Sequence, residues 1–261
     1  IAAAAQAGAP HSPTLASVYG AHAYVLYEWN DLPAAQAEAQ QALELGRRSG
    51  HVAAVAYGCV MLSRIQTARG ELEAAAQLLA ESLALRTRGM PAWVFGRTVS
   101  QQVNLALARG DERAAENALA GSGVPADAPT DHTREVVHLA HLRLLLHRLL
   151  RQLHQWKEPP AADPTCTAQF VQAQELAGRI IASAEDGGRV GRVIEALVLR
   201  GLLWQVQDQV AAAQDDIGRA LALAEPGGCV RVFIEQGAAM ARLLTFIAPP
   251  PNLQPYVERL L

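Results

Sequence analysis

The sequence predicts an all-α chain of antiparallel helix pairs stacked as internal repeats. Three observations carry that expectation. The first is a recurring corner. It reads Asn30-Asp31-Leu32-Pro33-Ala34-Ala35, then Arg69-Gly70-Glu71-Leu72-Glu73-Ala74-Ala75, then Arg109-Gly110-Asp111-Glu112-Arg113-Ala114-Ala115, with its acidic residue at 31, 71 and 111, a period of 40. A fixed period of this length marks a repeat architecture. The second is composition: the chain is 51% hydrophobic but only 5% aromatic, with alanine and leucine supplying most of the apolar mass, which favours closely packed helices. The third is that no segment reads as a turn-bounded, alternating strand.

The corner has a local physical reading. Gly70 can take the left-handed conformation that ends a helix, and Glu71 then sits where negative charge suits the dipole of the next. Small residues follow at an interval of 7, Ala35 to Ala42, Ala75 to Ser82 and Ala213 to Ala220. Seven residues are about two helical turns, so they line one seam facing the partner helix.

Taken in order, residues 1–13 read as the tail of an earlier helix and a loop broken by Pro10 and Pro13. Helices are expected over 14–29 and 33–48, the second opened by Pro33, a good first-turn residue. The second pair spans 51–69 and 71–88, the third 92–109 and 111–120. Residues 121–130 are a Gly/Pro-rich connector. A leucine-rich helix over 134–155, a proline-rich loop at 157–165 and a helix over 167–184 form the fourth pair, and 189–207 with 209–224 the fifth. A last helix is expected over 229–248. Pro249-Pro250-Pro251 reads as a hinge or linker, and 252–261 as the start of another helix. The expected organisation is thus a single repeat domain over 1–261, with repeats at about 14–48, 51–88, 91–121, 131–186, 189–225 and 229–261.

Charge and cysteine usage narrow the function classes. A net charge of −3 gives no field for nucleic acid. The three cysteines, Cys59, Cys166 and Cys229, are far apart and suggest neither zinc nor a disulfide framework, so a cytoplasmic setting is expected. No uncharged apolar run is long enough for a membrane span. The start lacks a charged leader, and the chain reads as a segment cut from a larger protein.

The small-residue seams and the corners resemble the tetratricopeptide helix-turn-helix, with a period of 40 against the usual ~34, the excess lying in long loops. The expected fold is therefore a tetratricopeptide-like superhelix of about five to six antiparallel helix pairs. The segment from Ala220 to Leu244 is sharper. Ala224, Glu225, Pro226, Gly228, Val230, Arg231, Phe233, Gly237, Met240, Leu243 and Leu244 resemble the end of the sensor region of MalT-like regulators, ATP-dependent transcription activators with a LuxR-type DNA-binding tail. Gly191-Arg192-Val193-Ile194-Glu195-Ala196-Leu197 is similar as well. The resemblance implies a sensor and oligomerisation segment whose partners are a small-molecule inducer or a regulatory protein, with self-association. DNA would be reached only through a C-terminal helix-turn-helix not in this sequence. No cofactor is expected in the segment itself; ATP would belong to an upstream domain, since no phosphate loop occurs here.

In a tetratricopeptide superhelix the first helix of each pair lines the groove. Helical spacing puts Ser17, Gly20, Tyr24, Tyr27 and Glu28 on one face, then Tyr57, Val60, Arg64 and Thr67, then Arg97, Ser100, Asn104 and Leu107. From these, Tyr24, Tyr27, Tyr57, Arg64, Arg97 and Asn104 are the candidate ligand-binding residues: rings can stack on a ligand body while amide and guanidinium fix its polar groups. The bland alternative is packing between helices. His132, His138, His141, His147 and His154 cluster around one helix, but His138 and His141 lack a third ligand at good spacing, so a leucine-rich helix with polar edges explains them better than a metal. No nucleophile motif surrounds Ser or Cys, so no enzyme is expected. Arg231 is expected to pair with Glu225 or Glu235, and Phe233, Met240 and Leu244 to pack. The competing function is a tetratricopeptide adaptor for a partner protein or peptide. Its carboxylate-clamp subtype is excluded, because the clamp's Lys and Asn would fall at Gly20 and Tyr24.

Overall fold

Thirteen α-helices and no strand occur among the described residues, which in the computed structural model are 13–155, 164–247 and 249–261. The helices are α1 (Pro13–Glu28), α2 (Leu32–Ser49), α3 (Val52–Ala68), α4 (Leu72–Ala84), α5 (Ala92–Ala108), α6 (Glu112–Ser122), α7 (Glu135–Gln155), α8 (Pro164–Asp186), α9 (Val190–Val206), α10 (Val210–Ala224), α11 (Arg231–Ile234), α12 (Gly237–Phe246) and α13 (Gln254–Leu260). They form two compact units that divide between Ser122 and Gly123, within the expected connector. In the first, α1 packs on α2, α3 on α4 and α5 on α6, and successive first helices touch, α1 with α3 and α3 with α5. In the second, α7 packs on α8 and α9, and α9 on α8, α10, α11 and α12. This is a tetratricopeptide-like all-α fold.

The 40-residue period is written in backbone angles. Asn30, Gly70 and Gly110 have φ of 65°, 79° and 70°, the left-handed state that closes a helix. Where the corner acid is aspartate it also caps the following helix: Asp31 Oδ1 accepts from Ala34 N at 3.1 Å and Asp111 Oδ1 from Ala114 N at 2.9 Å. The longer Glu71 makes no such bond. The small-residue seam is closed as expected, with Ala35, Ala39, Ala75 and Ala115 fully buried and Ala42, Ser82, Ala213 and Ala220 essentially so. Ser82 Oγ meets Thr98 Oγ1 at 3.1 Å, tying α4 to α5. At Gly46 a Cβ would stand 2.9 Å from Val55 N, so α2 meets the start of α3 more closely than an alanine would permit.

The structure corrects four boundaries. α4 stops at Ala84, and Arg86–Arg88 follow as a 3-10 turn ended by Gly89 at φ 85°. α8 starts at Pro164, earlier than expected. The helix expected over 229–248 is two: α11 ends in a tight turn, Gln236 N donating to Phe233 O at 3.0 Å, and Gly237 at φ 62° restarts the chain as α12. The triple proline is no departing hinge. Beyond it Leu253, Tyr256, Val257 and Leu260 are buried in the core of the second unit, where Tyr256 meets Phe233 edge-on at 6.2 Å. Phe233, Met240 and Leu244 pack as expected, at 0%, 1% and 2% exposure, and Arg231 pairs with Glu235 at 3.7 Å. The expected N-terminal tail up to residue 12 and the proline-rich loop up to residue 163 lie outside the described residues.

Candidate ligand-binding face

The first helices of the three pairs in unit 1 place the predicted residues in two adjoining groups. In the first, the Arg64 guanidinium lies 4.3 Å from the centre of the Tyr27 ring and 5.7 Å from that of Tyr24, both within cation–π range. It is fixed there by Glu28, whose Oε1 accepts from Nη2 at 3.2 Å. Arg64 and Glu28 keep only 19% and 9% of their side chains exposed. Tyr27 is 1% exposed, so it belongs to the core beneath the face and only Tyr24 and Arg64 can meet a ligand. One turn on, Gln101 Nε2 donates to Thr67 Oγ1 at 3.0 Å, and Asn104 Nδ2 reaches Gln101 Oε1 at 3.5 Å, a long contact that leaves most of the Asn104 amide for another partner.

The second group sits at the opposite end of the same helices. Tyr57 meets Trp93 with ring centres 5.6 Å apart, tilted by 59°, and Arg97 lies 5.5 Å from the Tyr57 ring centre. Gly20 makes this possible: a Cβ there would stand 2.9 Å from Tyr57 Cδ1, so the bare α-carbon of α1 is the surface on which that ring lies. Trp93 was missed as a site residue in the sequence, although it stands four residues before Arg97 and so shares its face; Gln101, four residues after, is 3% exposed and belongs to the support beneath.

The second unit holds buried ion pairs that the sequence reading did not single out. Glu135, 1% exposed, accepts from Arg189 Nε at 3.1 and 2.9 Å, from Arg189 Nη2 at 2.6 Å and from Ser183 Oγ at 2.8 Å. This contact raises the Arg189 pKa. Asp216 takes a two-pronged bond from Arg200 at 2.7 and 2.6 Å and a third from Trp204 Nε1 at 3.1 Å. Glu195 bridges Arg192 and Arg143. Each carboxylate is satisfied by its partners, which makes these structural ties between helices.

The histidines serve the connector. His138 Nδ1 meets Thr130 Oγ1 at 3.2 Å and His141 Nε2 meets the Val124 carbonyl at 2.9 Å. Burial pushes both pKa values down. No group of three or more His, Cys, Asp or Glu positioned for a metal occurs among the described residues. Burial likewise pushes the Cys59 thiol up to about 12. No helix of the described residues is long and apolar enough to cross a membrane. A half-open groove of about 460 Å³ also lies between α4 and α6, floored by α5 and walled largely by alanine and leucine.

Comparison with known proteins agrees with this architecture. No curated protein matches the chain. The model of the MalT-like TPR region matches residues 1–248, nearly the whole length, and ends just before the segment that packs back through Tyr256. On that match, together with the 40-residue corners and the stacked first helices, the chain belongs to the MalT-like TPR region family.

Proposed function

We propose that this chain is the signal-sensing and oligomerisation segment of a bacterial transcription regulator, working in the cytoplasm and taking an inducer or regulatory protein on the α1–α3–α5 face. The observation that carries the proposal is the grouping of half-buried aromatic, amide and guanidinium side chains across three adjacent helices, in a chain of the MalT-like TPR region family. Such a face offers orientation and polar fixing to a ligand without any bond-making chemistry. DNA binding and ATP binding are assigned to other segments of such a regulator. A thermal-shift screen of sugars, aromatic compounds and acyl metabolites tests the proposal. A stabilising compound should lose its effect in Tyr24→Ala and Asn104→Ala variants of unchanged helicity. Arg64 is a poor test residue, because its removal strands the Glu28 carboxylate. Unaltered response in both variants refutes the face.

The groove between α4 and α6 favours a second reading, a tetratricopeptide adaptor that takes an apolar helical segment of a partner protein. Small Ala76, Ala80, Ala114 and Ala118 on its walls would let such a helix approach closely. Replacing Ala80 by glutamate should then abolish partner binding while leaving the small-molecule response intact.

A further inference from the structure

Charge is distributed unevenly over the three first helices of unit 1. Together α1, α3 and α5 carry one carboxylate, Glu28, and it is committed to Arg64. Arg97 has no such partner: among the described residues it makes no hydrogen bond or ion pair, and it lies instead over the Tyr57 ring. A guanidinium stacked on a ring keeps its in-plane N–H donors free along the edge, the geometry that accepts a carboxylate two-pronged. One turn back on the same face stands Trp93, 46% exposed although its ring touches Tyr57. A large ring held half in solvent beside an unmatched cation is a surface for a flat anionic body.

We propose that Arg97, Trp93 and Tyr57 form the subsite for a small aromatic monocarboxylate, its carboxylate on the Arg97 fork and its ring on Trp93. The proposal rests on the α1–α3–α5 face being the effector surface and names the ligand class for it. A single negative charge is specified because, on these three helices, the unmatched arginine charge is confined to Arg97. Arg64, the nearest other cation on these helices, is already neutralised by Glu28, so an acidic peptide carrying several carboxylates would find no second counter-charge there.

The probe is 2-naphthoate, titrated into the chain by isothermal calorimetry. Its controls are 2-naphthamide, which keeps the rings without the charge, and cyclohexanecarboxylate, which keeps the charge without the aromatic surface. The expected dissociation constant is on the order of 1 mM or below, the range open to a ligand of about a dozen heavy atoms on an open face. Arg97→Gln should weaken 2-naphthoate about tenfold or more, Arg97→Lys by less because charge survives without the fork, and Trp93→Ala by about tenfold. Circular dichroism of each variant confirms the fold. Equal affinity for acid and amide, undiminished binding to Arg97→Gln or Trp93→Ala, or no heat of binding at all overturns the assignment. A screening hit lost in Tyr24→Ala but kept in Arg97→Gln also overturns it, while leaving the face itself standing.

Discussion

Removing Arg189 should cost the second unit about 3 kcal/mol, at the lower end of the range for stranding one member of a buried ion pair. The figure follows from what the deletion leaves behind. Glu135 is 1% exposed, and three of its four hydrogen bonds come from Arg189. Arg189→Ala leaves the carboxylate with Ser183 Oγ alone. The lower end applies because the Arg189 side chain is itself 32% exposed, so water can enter the space it vacates. Urea unfolding followed by far-ultraviolet circular dichroism measures the cost. With a slope of about 1–3 kcal/mol per molar urea, the transition of this unit should fall by roughly 1–3 M. Glu135→Gln in the Arg189→Ala background removes the stranded charge and should recover about 2 kcal/mol, a coupling of the size expected for residues in contact. Gly187→Ala perturbs the same pair more mildly from the backbone side, because the added Cβ would sit 1.5 Å from Arg189 Nη1 and the flexible guanidinium must shift. If Arg189→Ala costs under about 1 kcal/mol, or if the double variant recovers nothing, the pair does not hold α7 to the α8–α9 corner.

Three further outcomes follow from the packing. Ala75→Leu, at a fully buried seam position, should destabilise the first unit by about 1–3 kcal/mol through overpacking, read as a lower unfolding midpoint. The second unit should lose stability in mild acid: burial lowers the folded pKa values of His138 and His141 from 6.5, so below about pH 6.5 the unfolded chain binds protons that the folded one refuses. His138→Gln with His141→Gln should flatten unfolding midpoints between pH 7 and about 5, whereas Asp131, held below the usual carboxylate range first by its bond from Thr133, acts in a separate and more acid window. Cys59 should resist thiol reagents in the native state, its burial holding the thiol protonated at neutral pH; rapid labelling that precedes unfolding would contradict this.

The candidate face was legible in part. Helical spacing put Tyr24, Tyr57, Arg64, Arg97 and Asn104 on one side of three helices, and that grouping holds in the folded chain. Spacing could not separate Tyr27 from Tyr24, because three residues on a helix turn the side chain by about 60° from its starting direction, enough to move a ring from surface to core. Trp93 was not singled out in the sequence, and it is the contact with Tyr57 that builds it into the face. The expected hinge at 249–251 failed for a related reason. Proline stiffens a segment locally, yet nothing in the segment itself says that Tyr256 will find Phe233 and Cys229 in the core of its own unit.

By itself the sequence determined the all-α class, the 40-residue corners and the small-residue seam, because each depends on residues within a few turns of one another: a left-handed closing residue, a capping acid, alanines two turns apart. Tertiary structure alone decided which charges are matched. Glu28 meets Arg64 and Asp216 meets Arg200 across different helices, Glu135 of α7 meets Arg189 in the α8–α9 corner, and Arg97 meets a ring. Partners 16 to 54 residues apart are chosen by how the helices pack, and no local pattern encodes that.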